Sequence, residues 1–124
     1  MTSPSFRPRR SVLYMPGGNA RALEKAKTLA VDAVILDLED SVAPDAKAEA
    51  RATACAAVTA GGYGRREVVL RVNGLDTPWG KADMAAAVAA RPDAILVPKV
   101  SSASDVAHAA SLAHGIPLWV MIET

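Results

Sequence analysis

The stretch Ile35-Leu36-Asp37-Leu38-Glu39-Asp40 is a short apolar run that ends in carboxylates. Three other apolar runs also end in or near a charged side chain: Val69-Leu70-Arg71-Val72-Asn73, Leu96-Val97-Pro98-Lys99 and Val120-Met121-Ile122-Glu123. Ionisable groups are costly to bury, so the interior of a strand normally excludes them. Charges confined to the same end of successive strands therefore predict a site at the carboxyl edge of a parallel sheet.

Runs rich in Val, Ile and Leu predict five strands, at about residues 12–15, 33–38, 67–73, 94–99 and 117–122. Their nearly continuous apolar character is typical of parallel strands covered on both faces. Segments with helical spacing lie between them. The first runs from Asn19 to Leu29, the second starts at Ala43-Pro44 and stops at Gly61, the third follows Pro78, and the fourth follows Ser102.

Two of these helices are rich in alanine, and the first of them has a predicted apolar face. For the first helix, the spacing predicts a face made of Ala22, Leu23, Ala26, Leu29 and Ala30. The third helix contains Ala82, Ala85, Ala86 and Val88. Helices this rich in alanine are expected to pack close to the sheet.

The resulting order, βαβαβαβαβ with short connections, predicts a single α/β domain over residues 1–124. Two architectures follow this order: an open doubly wound sheet, or the opening part of an eight-stranded barrel. Length favours the open sheet, because a closed barrel usually needs about 250 residues. The charged strand ends favour the barrel.

Composition excludes some classes of partner. The net charge of +1 gives no electrostatic reason to expect nucleic acid or an anionic membrane. No apolar run approaches the roughly 18 residues that span a bilayer, and the N-terminus lacks the apolar stretch of a signal peptide. The single cysteine, Cys55, is typical of a small buried residue in a reducing compartment, so a cytoplasmic location is expected.

The negative charges of the acidic run at the end of the second strand need a compensating group. Because side chains alternate along a strand, Asp37 and Glu39 face the same way, while Asp40 begins the loop. Carboxylates this close repel one another unless a cation or a shared proton compensates, and Arg71, Lys99 or a metal ion would serve. The alternative is purely structural, with Asp37 in a salt bridge and Asp40 starting the next helix.

The other strand ends add three chemistries. The fork of Arg71 suits a carboxylate or a phosphate, although internal pairing with Asp37 or Glu39 is the alternative. Lys99 offers a positive charge, a Schiff-base amine or a buried ion pair. A hard cation with oxygen ligands would explain Glu123 at the end of the last strand.

The Gly-Gly turn after the first strand suits an anion site, although any tight strand-to-helix turn could use the same two glycines. Gly17 and Gly18 let backbone amides approach a ligand closely, before a helix that presents its positive end. Arg9 and Arg10, just upstream, would add phosphate contacts or form a solvated basic tail.

Five segments of the chain, taken in order, resemble a known series of motifs. They are Arg10-Ser11-Val12-Leu13-Tyr14-Met15-Pro16-Gly17, Leu36-Asp37-Leu38-Glu39-Asp40-Ser41-Val42, Leu70-Arg71-Val72-Asn73, Val97-Pro98-Lys99-Val100 and Ile122-Glu123-Thr124. They are similar to the citrate lyase beta-subunit-like CoA-ester lyases of the HpcH/HpaI aldolase superfamily. The resemblance implies a (β/α)8 TIM barrel, of which this chain supplies about the first four and a half βα units. It also implies a Mg²⁺ site and a homo-oligomer, a trimer or hexamer when complete. The implied reaction is cleavage of a 3-hydroxyacyl-CoA such as citryl-CoA, malyl-CoA or citramalyl-CoA to a 2-oxoacid, for example oxaloacetate, and an acyl-CoA.

Carried over residue by residue, the resemblance makes Glu123 a direct Mg²⁺ ligand and Arg71 the group that holds the oxoacid carboxylate. Glu39 and Asp40 match the acidic pair that orders metal-bound water. The candidate substrate-binding residues are Arg71, Gly17, Gly18, Lys99 and Arg10, with Arg10 near the expected CoA entrance. Glu39-Asp40 stands where the aldolase branch has Glu-His, which favours the acyl-CoA branch.

The chain departs from this family in length. A complete member has about twice as many residues, with a second metal-binding Asp after Glu123 and a C-terminal segment that helps to form the CoA site. We therefore expect the chain to be an N-terminal portion, inactive or impaired alone. The alternative is a non-catalytic α/β module that binds an anion or a nucleotide.

Overall fold

The computed structural model describes residues 8–123, in which five strands alternate with four α-helices. The strands are β1 (Val12–Pro16), β2 (Ala33–Asp37), β3 (Glu67–Arg71), β4 (Ala94–Val100) and β5 (Leu118–Ile122). The helices are α1 (Ala20–Ala26), α2 (Lys47–Ala60), α3 (Gly80–Ala90) and α4 (Ala103–Ala113), with a 3₁₀ turn (Pro44–Ala46) before α2. The predicted alternation of strands and helices is confirmed.

All five strands are parallel and lie in the order β1-β2-β3-β4-β5. A doubly wound sheet reverses its strand order at a switch point, whereas a barrel adds each new strand on the same side of the last. The sequential order is therefore that of a barrel segment.

The packing of the two sheet faces leads to the same conclusion. The larger apolar cluster joins alternate strand residues such as Leu36 and Leu70 to buried residues of all four helices. A smaller cluster occupies the opposite face and contains no helix residue: Ile35, Val69, Ala94 and Leu96, with Trp119 and Met121 packed against them. Because the helices cover one face only, the other is the inner face of an incomplete TIM barrel.

Helix α1 differs from the sequence-based prediction in its length and in part of its apolar face. Helix α1 ends at Ala26 rather than near Leu29, because the amides of Lys27, Thr28 and Leu29 bond to carbonyls three residues back and tighten the last turn. Leu29 is only partly buried and Ala30 is exposed.

Helix α3 buries only part of its alanine-rich surface. Ala82 and Ala85 are exposed, and the buried residues are Gly80, Asp83, Met84 and Ala87. A run of alanines offers little contrast between faces, so periodicity did not locate the buried one. Within residues 8–123, no helix combines the length and apolar character that crossing a membrane requires.

Candidate functional site

The carboxyl edge of the sheet brings most of the predicted site residues together. Arg71 is the last residue of β3, and Lys99 lies near the end of β4. Glu39 lies two residues after the end of β2, and Glu123 directly follows β5. Ion pairs and hydrogen bonds connect these four residues in one series across the sheet. The prediction that the strand-end charges share one edge is confirmed by their placement.

Arg71 and Asp37 form a buried salt bridge at the centre of this edge. Arg71 Nε and Nη2 donate to Asp37 Oδ1 and Oδ2 at 2.7 and 2.8 Å, and both residues are at most 6% exposed. Asp37 also accepts the backbone amides of Glu39 and Ser41 at 2.8 and 3.0 Å. The internal pairing that the sequence left open for Arg71 is therefore present.

These contacts decide the ionisation of the pair. Burial disfavours the charged form of Asp37, but the hydrogen bonds from Arg71, Glu39 and Ser41 outweigh it and lower the pKa of the carboxyl group. The hydrogen bond to Asp37 likewise raises the pKa of Arg71, against the opposing effect of its burial. The pair is a fixed ionic element at neutral pH.

The outer edge of the Arg71 guanidinium faces the acidic pair. Nη1 lies 3.3 Å from Glu39 Oε1, and Nη2 lies 4.0 Å from Asp40 Oδ2. The guanidinium carbon also stands 4.8 Å from the centre of the Tyr14 ring. Since Asp37 occupies the side formed by Nε and Nη2, the Nη1–Nη2 edge is the one directed at the rest of the site.

Lys99 joins Glu39 to Glu123. Its Nζ lies 2.9 Å from Glu39 Oε2, and its backbone amide donates to Glu123 Oε2 at 2.9 Å. The hydrogen bond to Glu39 raises the pKa of Lys99. Lys99 also has a φ of +55°, an uncommon conformation for a residue other than glycine, and strain of this kind concentrates at functional sites. Of the roles that the sequence left open for Lys99, the structure shows an ion pair, in which the lysine side chain is 61% exposed.

The oxygen groups at this edge suit a hard cation only in part. Glu39, Asp40 and Glu123 present carboxylates, the ligands that Mg²⁺ prefers. Between residues 8 and 123, however, no group of three or more His, Cys, Asp or Glu side chains is placed to hold a metal ion. The described residues thus fit a contribution to a Mg²⁺ site rather than a full ligand set.

Gly17 is used for packing as well as for the turn. Its amide donates to Asp37 O at 2.8 Å, and a Cβ at this position would lie 2.6 Å from the same oxygen. Gly17 is buried, while Gly18 is exposed beside the start of α1, where Asn19 caps the helix by accepting the amide of Ala22. Only Gly18 therefore leaves its backbone accessible, and a ligand-binding role for either glycine stays a prediction.

Arg10 is not brought together with the other candidates. It precedes β1, at the amino edge of the sheet, where its backbone amide and guanidinium bond to Asp32. Arg9 lies at the same edge, in a two-point contact with Glu67 and over the ring of Trp119. Both arginines form ion pairs, Arg9 with Glu67 and Arg10 with Asp32, and the Arg10 side chain is 81% exposed. A role for Arg10 near a CoA entrance stays a prediction.

Sequence reasoning missed a polar cluster next to the acidic pair, of which three members are buried and Arg51 is partly buried. Its members are Lys47, Arg51, Asn73 and Asp83, connected by hydrogen bonds of 2.7 to 3.1 Å that also reach the carbonyls of Leu38 and Glu39. Asp83 is completely buried. The available signal was Asp83, a lone carboxylate inside the alanine-rich segment 82–90.

Comparison with known proteins gives close relatives for the sequence. The chain matches the HpcH/HpaI aldolase/citrate lyase family over residues 10–118. It is 54% identical over 117 residues to a (3S)-malyl-CoA thioesterase of Cereibacter sphaeroides, covering 94% of this chain and 41% of that protein. It is 44% identical over 107 residues to an L-malyl-CoA/beta-methylmalyl-CoA lyase of the same organism, covering 84% of this chain and 34% of that protein.

Solved structures support the same relationship. The citrate lyase beta subunit from Mycobacterium tuberculosis, complexed with oxaloacetate and magnesium, superposes with a TM-score of 0.75 at 28% identity, over 91% of this chain and 47% of that one. The complex of CitE from the same organism with magnesium, acetoacetate and coenzyme A gives 0.76 at 29% identity, over 91% and 39%. The chain thus spans less than half the length of these relatives. With a family match that covers nearly the whole chain and a barrel segment whose strand-end charges meet at one edge, the chain belongs to the HpcH/HpaI aldolase/citrate lyase family.

Proposed function

We propose that the intact protein containing this chain is a Mg²⁺-dependent enzyme that acts on a 3-hydroxyacyl-CoA of the malyl-CoA type. The single observation that carries the proposal is the connected series Arg71–Glu39–Lys99–Glu123 at the carboxyl edge of the sheet. In open and closed parallel α/β folds this edge is where ligands bind. The names of the relatives, malyl-CoA thioesterase and malyl-CoA lyase, supply the substrate class.

Arg71 is placed to orient the substrate. Asp37 holds its Nε–Nη2 side, so the guanidinium presents its Nη1–Nη2 edge in a fixed direction. In the proposal, this edge binds the carboxylate beside the hydroxyl of the substrate, with two parallel hydrogen bonds. Fixing that carboxylate aligns the bond to be broken.

Glu123 would hold Mg²⁺ together with a ligand beyond this chain, while Glu39 and Asp40 would order water around the metal. When bound, the metal would make the substrate hydroxyl more acidic and stabilise the developing carbonyl. Lys99 would balance the charge of the carboxylates in the absence of the metal, through its contact with Glu39.

Carbon–carbon cleavage is the reaction that this arrangement favours. The hydroxyl loses its proton, the bond between the hydroxyl-bearing carbon and the carbon next to the thioester breaks, and its electron pair stays on the latter as an enolate. Protonation of the enolate then gives an acyl-CoA beside the 2-oxoacid. A thioester stabilises such an enolate, so the cleavage needs no organic cofactor.

Thioester hydrolysis is the second candidate, favoured by the higher identity to the thioesterase, 54% against 44% for the lyase. Here water attacks the thioester carbonyl, and the thiol of CoA leaves. Glu39 and Asp40, as water-ordering groups, suit this reaction as well.

Product analysis separates the two reactions. With (3S)-malyl-CoA and Mg²⁺, cleavage releases glyoxylate and acetyl-CoA, whereas hydrolysis releases malate and free CoA. We expect Glu123→Gln and Arg71→Lys to lower kcat/KM at least about 100-fold, and removal of Mg²⁺ by a chelator to abolish turnover. Glu49→Gln, at an exposed position in α2, is the matched control for the loss of a carboxylate. Wild-type turnover in Glu123→Gln would contradict the metal role.

A non-catalytic anion- or nucleotide-binding module remains the contrasting hypothesis. Calorimetry with Mg²⁺ and with acetyl-CoA tests it: measurable CoA binding together with neither Mg²⁺ binding nor turnover would favour the module. Two further parts of our proposal are a cytoplasmic location and a homo-oligomer, which fractionation and light scattering would check.

A further inference from the structure

A buried ammonium group, that of Lys47, contacts the backbone of the turn that carries Glu39 and Asp40. Lys47 is the first residue of α2, and it is only 6% exposed. Its Nζ donates to the carbonyls of Leu38 and Glu39 at 3.1 and 2.9 Å. Within residues 8–123, no carboxylate forms an ion pair with it. A buried charge balanced by carbonyl dipoles is costly and calls for an explanation beyond helix formation.

The two carbonyls belong to the turn that carries Glu39 and Asp40. On its other side, the turn is held by Asp37, whose carboxylate accepts the amides of Glu39 and Ser41. Lys47 and Asp37 therefore both bond this short segment: Lys47 bonds its carbonyls and Asp37 bonds its amides. The direction of the Glu39 side chain depends on both contacts.

Lys47 is itself held by surrounding groups. Leu38 O also accepts a hydrogen bond from Asn73 Nδ2 at 2.9 Å, so Lys47 and Asn73 together bond this carbonyl. The other side of the ammonium faces the Trp79 ring, 5.1 Å from its centre. A cation between carbonyls and an aromatic face is limited to a small range of positions.

Asp83 completes the arrangement. One oxygen of its fully buried carboxylate accepts both the amide and Nδ2 of Asn73, at 2.9 and 2.7 Å. The other accepts Arg51 Nε at 2.8 Å, and Arg51 stands one helical turn after Lys47 on α2. A chain of hydrogen bonds thus connects Lys47 to Arg51 through Leu38 O, Asn73 and Asp83. It fixes α2 against the ends of β2 and β3.

We propose that Lys47 is a positioning residue, which sets the Glu39–Asp40 turn in the geometry that the active site uses. The inference rests on the proposed function of that pair, and Lys47 itself touches no reacting group. If the ammonium is lost, the two carbonyls turn towards other donors and Glu39 shifts relative to Arg71 and Lys99. Groups that orient metal-site residues typically change activity or metal affinity about 10- to 100-fold when removed.

The test compares Lys47→Met with Lys81→Met in the intact protein. Methionine keeps the unbranched shape of lysine without donors or charge, and Lys81 is an exposed lysine at the second position of α3. Hydrogen exchange at the amides of Glu39 and Ser41 is measured first. We expect about tenfold faster exchange or more in Lys47→Met, and wild-type exchange in Lys81→Met.

Kinetics with (3S)-malyl-CoA follow at a temperature where the variants remain folded. A positioning role predicts a kcat lower by about 10- to 100-fold with KM within about twofold, whereas a merely structural role lowers the melting temperature and leaves kcat per folded molecule unchanged. Wild-type exchange at Glu39 and Ser41, or a wild-type kcat, in folded Lys47→Met would overturn the proposal.

Lys47→Gln covers the case in which the methionine variant does not fold. Its amide is one bond shorter and uncharged, so it reaches at most one of the carbonyls. We expect a smaller change in the same direction in both measurements, and wild-type values in both would overturn the proposal. If the wild-type protein turns over no malyl-CoA, the proposed function fails by itself, and hydrogen exchange still decides whether Lys47 holds the turn.

Discussion

Arg71 lies directly opposite Asp37 in the register of β2 and β3, and each is the last residue of its strand. The two-point contact between them fixes the guanidinium before any ligand arrives. An arginine that is oriented in advance loses little side-chain freedom on binding a carboxylate. The structural pairing and the predicted binding role are therefore compatible, because they use different sides of the same group.

Replacing Asp37 with asparagine tests this relationship. The variant leaves a buried guanidinium without its counter-charge, and breaking a buried ion pair on one side costs about 3–5 kcal/mol. We expect Asp37→Asn to lower the free energy of unfolding by about 3 kcal/mol or more in urea titrations. Asp45→Asn, at an exposed position in the 3₁₀ turn, is the control and should change it by less than about 0.5 kcal/mol. An unchanged stability in Asp37→Asn would show that the pair is not formed in solution.

The same carboxylate should make stability depend on pH in the acid range. The pKa of Asp37 is lower in the folded protein than the ordinary value of about 3.9, so the unfolded state binds the proton more readily. Its contribution is present above about pH 4 and is lost as pH falls through the folded pKa. Measured from pH 2 to 7, the difference in unfolding free energy between wild type and Asp37→Asn should be constant near neutrality and shrink below about pH 4. A difference that grows towards acid pH would contradict this sign.

The fold and the polar cluster differ in how far sequence predicts them. The strands were located because Val, Ile and Leu cluster in short runs, and their charged ends share an edge because parallel strands all end on the same side. The choice of barrel over open sheet depended on strand order, which hydrophobic pattern does not encode. The hydrophobic pattern also does not predict the burial of Asp83, because its partners Arg51 and Asn73 come from other segments of the chain.

The close approach of β1 to β2 makes Gly17 intolerant of a side chain. A Cβ there would lie 2.6 Å from Asp37 O and 2.9 Å from Leu38 Cδ2, so the backbone of β2 has to move. At Gly18 the nearest atom is Ala50 Cβ at 3.3 Å, which needs only a small adjustment. We expect Gly17→Ala to cost about 1–3 kcal/mol in urea unfolding and Gly18→Ala less than about 1 kcal/mol. Equal effects at the two positions would contradict the packing described for Gly17.

The positive charge of the Lys99 ammonium should oppose cation binding at the carboxyl edge of the sheet. The backbone amide of the same residue bonds the Glu123 carboxylate. Lys99→Met removes the charge next to Glu39 but keeps the amide that bonds to Glu123 Oε2, so the two effects separate. Without the positive charge, a divalent cation meets less repulsion, and among the described residues Glu39 keeps only its ion pair with Arg71. Because Lys99 is largely exposed and screened by solvent, we expect Mg²⁺ affinity to rise only about two- to fivefold in calorimetry of the intact protein, and less at 0.5 M salt than at about 0.05 M. Lys81→Met is the matched control, with no change expected. Weaker Mg²⁺ binding in Lys99→Met would mean that the ammonium organises the carboxylates for the metal instead of competing with it.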